Sequence, residues 1–260
     1  MRTKSLIFTF AAVALLAWPA TTQAETNKTI TTLATPGTAH DVVVVGNYAY
    51  VADFTSGIDV INVTTPAAPA LVASYQLPAG TGAWSIDIVE QTLYAVGGGQ
   101  LVIYSISTAT PPVLTQRGTY GGSPGFSVGG VVSDGSVAYV TGYIGSTFYV
   151  QVVNVSNPDA LTLAAGTNSI AVNATADLYL AGDYLYVVGG DASGVNRLEI
   201  IRAYPILTSA GIYTEPDSGA GYQGVQVYGS VAYINDVMFA PAGGFRALNI
   251  ANPAAVTEIL

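Results

Sequence analysis

One tyrosine recurs down this chain at Tyr50, Tyr94, Tyr139, Tyr186 and Tyr233, at intervals of 44, 45, 47 and 47 residues. Around each copy lie the same four short apolar runs. A repeat of this length with four strand-like runs per copy is the sequence form of small β-sheets arranged radially. No copy can bury both of its faces alone, so the copies must stack on one another.

The first copy shows the pattern. Asp41–Val45 ends at a Gly46-Asn47 turn, and Tyr48–Ala52 follows. After Thr55-Ser56-Gly57 come Ile58–Val63, then Thr64-Thr65-Pro66, then Leu71–Leu77 before Pro78. Short runs rich in Val, Ile and Tyr, each closed by Gly, Asn or Pro, predict an antiparallel meander. The copies occupy residues 39–78, 83–121, 128–168, 175–214 and 222–260, and no helical period interrupts them. In the later copies the fourth run is expected at Leu161–Ala165 in the third, and the first run at Val225–Tyr228 in the fifth. Half of the residues are apolar and only 9% are charged, enough to bury both faces of every sheet. The expectation is an all-β chain, a β-propeller of about five four-stranded antiparallel blades forming one unit over residues 25–260.

The two ends raise a question of closure. Thr29–Thr35, followed by Pro36-Gly37-Thr38, resembles the fourth strand and exit of a copy, while Val256–Leu260 begins the fifth copy's own fourth strand. Either the ring is incomplete or the N-terminal strand closes it. Residues 1–24 read separately as a signal peptide: Arg2 and Lys4, then the apolar stretch Leu6–Trp18, then Thr22-Gln23-Ala24 at the cleavage position. No other stretch is long and apolar enough to span a membrane as a helix. The expected location is the periplasm, the cell surface or the medium.

Without the leader the chain keeps five basic residues against sixteen acidic ones, a formal charge of −11. Such a surface repels phosphate backbones and anionic lipid, so neither nucleic-acid binding nor membrane insertion after leader cleavage is expected. There is no cysteine, which removes disulfides, thiol chemistry and a lipid-anchored cysteine together.

The stretch from His40-Asp41 through Tyr50 to Asp53, then Gly57-Ile-Asp-Val-Ile-Asn-Val63 and Pro66-Ala-Ala-Pro, resembles the bacterial LVIVD repeat. Val153-Asn-Val-Ser-Asn-Pro158 and Leu248-Asn-Ile-Ala-Asn-Pro253 are similar to the same family's third-strand element. The second and fourth copies depart from it at Ser107-Thr-Ala-Thr-Pro111 and Ala203-Tyr-Pro205. The resemblance implies propeller blades in an exported or surface-associated protein, and it implies no particular activity.

Few residues offer chemistry. His40 is the only histidine, so a metal site built on several histidines is excluded, and its equivalents Trp84, Gly129, Ala176 and Gln223 are chemically unlike. It reads as a residue at the start of a strand. Asp53 and Asp236 follow second strands and read as turn caps, and Asp191–Asn196 reads as a polar turn lacking the alternating carboxylates of a calcium loop. The first strands supply only His40, Asp41, Asp87, Asp134 and Asp177, at positions that do not match from copy to copy. No catalytic residue, metal or cofactor is assigned.

The repeat accounts for most of the seventeen tyrosines, but some aromatics fall outside it. Trp84, Phe126 and Tyr222 lie just before first strands, where loops gather at one mouth of a propeller, and are the candidate binding residues. The expected function is an exported, non-catalytic module that binds an unidentified protein or glycan. A hydrolase or lactonase working in the central channel is the alternative from another class. A structural segment of a larger surface protein is the third.

Overall fold

The computed structural model describes residues 31–121, 127–166, 168–173, 176–190, 195–205, 207–215, 220–238 and 244–259. They form five small antiparallel sheets arranged as the blades of a β-propeller. Blade one is β1 (Ala39–Val45), β2 (Tyr48–Asp53), β3 (Gly57–Asn62) and β4 (Ala70–Tyr75). Blade two is β5 (Ser85–Val89), β6 (Thr92–Gly97), β7 (Gln100–Ile106) and β8 (Leu114–Tyr120). Blade three is β9 (Ser127–Ser133), β10 (Val137–Ile144) and β11 (Thr147–Asn154), with β12 (Thr162–Leu163) and β13 (Ser169–Val172) sharing its outer edge. Blade four is β14 (Asp177–Ala181), β15 (Tyr184–Gly190), β16 (Asn196–Arg202) and β17 (Thr208–Thr214). Blade five is β18 (Ala220–Tyr228), β19 (Val231–Met238), β20 (Phe245–Asn249) and β21 (Thr257–Glu258).

Local sequence explains the hairpins. Gly46 and Gly182 sit at φ 58° and 55° with open space around them, so the left-handed backbone, not crowding, selects glycine there. In blade three the expected single fourth strand at Leu161–Ala165 is instead split. Two residues of it pair with Val153 and Asn154, and the edge resumes at β13. At the N-terminus, residues 31–38 carry no strand, and β21 is the outer strand of blade five. The closing N-terminal strand suggested by the sequence is therefore not formed by residues 31–35.

The core lies between blades. Tyr50 packs toward blade two with Leu93 and Ala95, and Tyr94 packs toward blade three with Val131 and Val140. Tyr139 reaches toward blade four, where its hydroxyl accepts a hydrogen bond from the Tyr204 N–H at 3.0 Å. Tyr186 packs toward blade five. Each of these tyrosines therefore faces the following blade. Burial pushes the Tyr50 and Tyr186 phenols above their ordinary pKa, with Tyr48 and Tyr184 as respective secondary causes.

Polar groups add specific ties across these junctions. Asp41 Oδ2 accepts the Ile86 N–H at 3.0 Å, Asp87 Oδ2 the Ser133 N–H at 2.7 Å, and Asp177 Oδ2 the Val225 N–H at 2.9 Å. In each case a first-strand carboxylate holds the first strand of the next blade. The Asn-Pro element of the repeat has a counterpart role. A Cβ added at Gly118 or Gly211, on the outer strands of blades two and four, would overlap the carbonyl of Pro158 or Pro253 in the following blade. The proline turn thus seats directly on the preceding blade's edge. Beside Pro158, Arg117 and Asp159 pair at 2.6 Å.

Candidate binding site

Two carboxylates organise the end of the molecule where β1 starts. Asp53, at the end of β2, is fully buried and accepts N–H groups from Gly37 at 2.9 Å, Thr55 at 2.7 Å and Ser56 at 2.9 Å. Burial opposes its ionisation. The N–H groups of Ser56, Thr55 and Gly37, with the Thr35 hydroxyl, outweigh that and hold its carboxyl down at about 2. Its backbone carbonyl accepts the Ala83 N–H at 2.9 Å, which ties the β2–β3 turn to the approach of blade two. Gly82 lies so close to the Phe54 backbone that a Cβ there would overlap it. Asp41, the third residue of β1, completes the clamp with the Ile86 N–H and with the Ser85 hydroxyl at 3.2 Å.

These contacts bring three aromatic rings together at the surface. His40 and Trp84 have ring centroids 4.4 Å apart, Phe54 and Trp84 4.8 Å, and His40 and Phe54 6.0 Å. Trp84 is 44% exposed and Phe54 49%, and His40 is exposed as well. A cluster of this kind, fixed by the buried Asp53 and the half-buried Asp41 yet open to solvent, offers apolar ring faces for stacking.

Of the three aromatics singled out from the sequence, the structure brings only Trp84 into this cluster. Phe126 lies outside the described residues. Tyr222 is fully buried between blades four and five. The expected first strand of blade five began at Val225, but β18 starts at Ala220, and a bulge between Tyr222 and Gly224 turns the Tyr222 ring into the core. Its N–H donates to Asn196 Oδ1 at 3.4 Å. His40 and Phe54 are the partners that sequence reasoning did not join to Trp84. A paired chain contact at a sheet corner leaves no periodic trace, although an aromatic directly after Asp53 was a visible hint.

The first-strand acids do not form one cluster. Asp41, Asp87 and Asp177 are the interblade clamps, and Asp134 accepts N–H groups of Ser136 and Val137 in its own turn at 2.8 and 2.9 Å. Among the described residues no group of three or more His, Asp or Glu side chains is placed to hold a metal. A groove of about 350 Å³ opens between blades three and four, lined by Asp134, Tyr139, Asp183, Arg202 and Tyr204. Its Arg202 guanidinium lies 5.6 Å over the Tyr184 ring. No helix among the described residues is long and apolar enough to cross a membrane.

The family described as the LVIVD repeat matches residues 36–77, which hold β1–β4 and both carboxylates of the aromatic corner. The chain carries an LVIVD repeat. A sequence comparison with curated proteins found no match. Among solved structures, a Lactobacillus plantarum protein is similar at 15% identity and TM-score 0.66, over 85% of this chain and 70% of that one. A functionally unknown protein from Desulfotomaculum acetoxidans shares 12% identity at TM-score 0.62, over 88% and 71%. A candidate 6-phosphogluconolactonase from Bacteroides fragilis shares 16% identity at TM-score 0.59, over 84% and 68%. At such identities the likeness of this chain to all three is one of fold.

Proposed function

We propose that this LVIVD-repeat chain is an exported, non-catalytic propeller module that binds a protein or glycan partner at the cell surface or outside the cell. The observation that supports this reading is the exposed His40–Phe54–Trp84 cluster, held rigid by Asp41 and Asp53. Ring faces fixed in this way stack on the apolar face of a sugar, or on a proline or aromatic side chain, with little ordering cost. The acidic composition supports a partner other than nucleic acid or anionic lipid. The leader-like residues 1–24 support export.

The test is a panel of glycans and extracellular proteins probed with the wild-type chain and with Trp84→Ala. Binding that disappears in the variant while the fold survives supports the reading. A panel bound equally well by both proteins overturns it.

The second reading is a lactonase-type hydrolase, favoured by the likeness in fold to the Bacteroides fragilis protein. Against it weighs the use of Asp41, Asp87 and Asp177 as acceptors for backbone N–H groups of the next blade. Hydrolysis of a lactone panel at rates above background would favour this reading over the first.

A further inference from the structure

We infer that the groove between blades three and four is a ligand site for a small zwitterion, a molecule with an ammonium and a carboxylate close together, as in a free α-amino acid. Its space of about 350 Å³ is in the range of small-molecule sites, and its two walls belong to blades that pack on one another. The turn between first and second strands and the exit of the third strand share one end of a blade. The groove lies at that end, and the His40–Phe54–Trp84 corner sits at the other.

The repeat explains why a groove opens here. At the exit of each third strand one residue pairs with the start of the second strand: Asn62 with Tyr48, Ser105 with Thr92, Asn154 with Val137, Arg202 with Tyr184 and Asn249 with Val231. The three asparagines cap the turn that follows, accepting the N–H of Thr64 at 2.9 Å, of Ser156 at 3.0 Å and of Ala251 at 3.0 Å. The next residue in each blade (Val63, Ile106, Val155, Ala203 or Ile250) donates its N–H to the carbonyl of Asn47, Gln91, Ser136, Asp183 or Ser230. Blade four therefore keeps the backbone link and changes the side chains around it. A methyl group at Ala203 leaves open the volume that Ile106, Val155 and Ile250 fill as buried residues. Arg202 and Asp183 place a charge at two positions that are neutral in the other four blades.

Neither charge is committed to the fold. Arg117 pairs with Asp159, and Arg246 with Glu215 and Glu258. Arg202 makes no hydrogen bond or ion pair among the described residues, and its guanidinium rests 5.6 Å from the Tyr184 ring centroid. The Asp183 carboxylate likewise has no such partner among the described residues. On the facing blade Asp134 is fixed through one oxygen. Its Oδ1 accepts the N–H groups of Ser136 and Val137 and the Ser136 hydroxyl at 2.8 Å, and its Oδ2 takes none of them. The lining thus presents one fork of guanidinium donors and two carboxylate acceptors beside Leu180 and Tyr204. An anion alone would meet two like charges in a chain already rich in acid, and a cation alone would leave the guanidinium unmatched. A zwitterion answers both, its carboxylate on the Arg202 fork and its ammonium on the acids.

Calorimetric titration and thermal unfolding with glycine, L-leucine, L-lysine, L-glutamate and L-tyrosine test this, each compared with its N-acetyl and its amide form. At least one free amino acid is expected to bind and to raise the melting temperature by roughly 3–6 °C at ~10-fold above its Kd. Blocking either charge of that ligand should weaken binding ~10-fold or more. Arg202→Asn and Asp183→Ser install residues that other blades carry at the same positions, so circular dichroism should show both folded. Each should also lower the affinity ~10-fold or more, while Trp84→Ala binds like wild type. A panel in which no free amino acid binds overturns the proposal. So does a ligand held equally well after N-acetylation and amidation, or by folded Arg202→Asn and Asp183→Ser, or one lost in Trp84→Ala.

Discussion

Asp87→Asn is the substitution that reports most directly on how the blades are held. The Asp87 carboxylate is buried and accepts two backbone N–H groups, Ile88 in its own strand at 2.9 Å and Ser133 in the next blade at 2.7 Å. An asparagine keeps one acceptor oxygen and turns an NH₂ group toward the other donor. The loss is one charge-assisted hydrogen bond, about 1.5–3 kcal/mol, and the unmatched buried donors add about 1 kcal/mol or more. A total near 3 kcal/mol corresponds to a fall in melting temperature of roughly 6–12 °C for a chain of this size. Thermal unfolding followed by far-ultraviolet circular dichroism measures it. Asp134→Asn is the control, since Asp134 serves its own exposed turn, and it should cost under about 1 kcal/mol. If Asp87→Asn melts within 2 °C of wild type, or no lower than the control, the interblade clamp does not carry this load.

Three further outcomes are expected. Gly211→Ala should destabilise by about 1–3 kcal/mol, because its new Cβ meets the rigid Pro253 carbonyl, whereas Gly121→Ala, with open space around it, should be near neutral in the same melting assay. Asp53, held at about 2 against an ordinary 3.8, contributes stability that is complete above pH 4 and lost as pH falls toward 2. The gap in melting temperature between wild type and Asp53→Asn should therefore shrink over that window. N-terminal sequencing of secreted protein should begin near Glu25, and Met1 retained on secreted material would remove the export reading.

The fold was legible because the sheet period leaves strong marks. Tyr50 to Tyr233 recur at one register position, pairing with Val60, Ile103, Val152, Ile200 and Ala247 on the third strands. The clamps were not legible. Asp41 and Asp177 share one register position, two residues beyond the blade's tyrosine, but Asp87 pairs with Tyr94 itself, so an alignment of copies sets Asp87 apart where the structure shows one role. Tyr222 looked like a loop residue because a bulge shifts the strand start without altering composition. The aromatic corner was half legible. Trp84 stands out from the repeat, while its partners His40 and Phe54 come from a neighbouring blade, joined through Gly82 and the Asp53 turn.

We propose that the His40–Phe54–Trp84 corner is where this chain meets its partner. In a chain beginning at Glu25, Trp84 is the single tryptophan, so its fluorescence reports on that corner alone. Titration with a partner identified from the glycan and protein panel should shift or quench the Trp84 emission saturably, and Phe54→Ala should weaken the titration about 10-fold or more. A partner that binds tightly while the Trp84 emission stays unchanged, and that binds Phe54→Ala as well as wild type, would place the site elsewhere and contradict the claim.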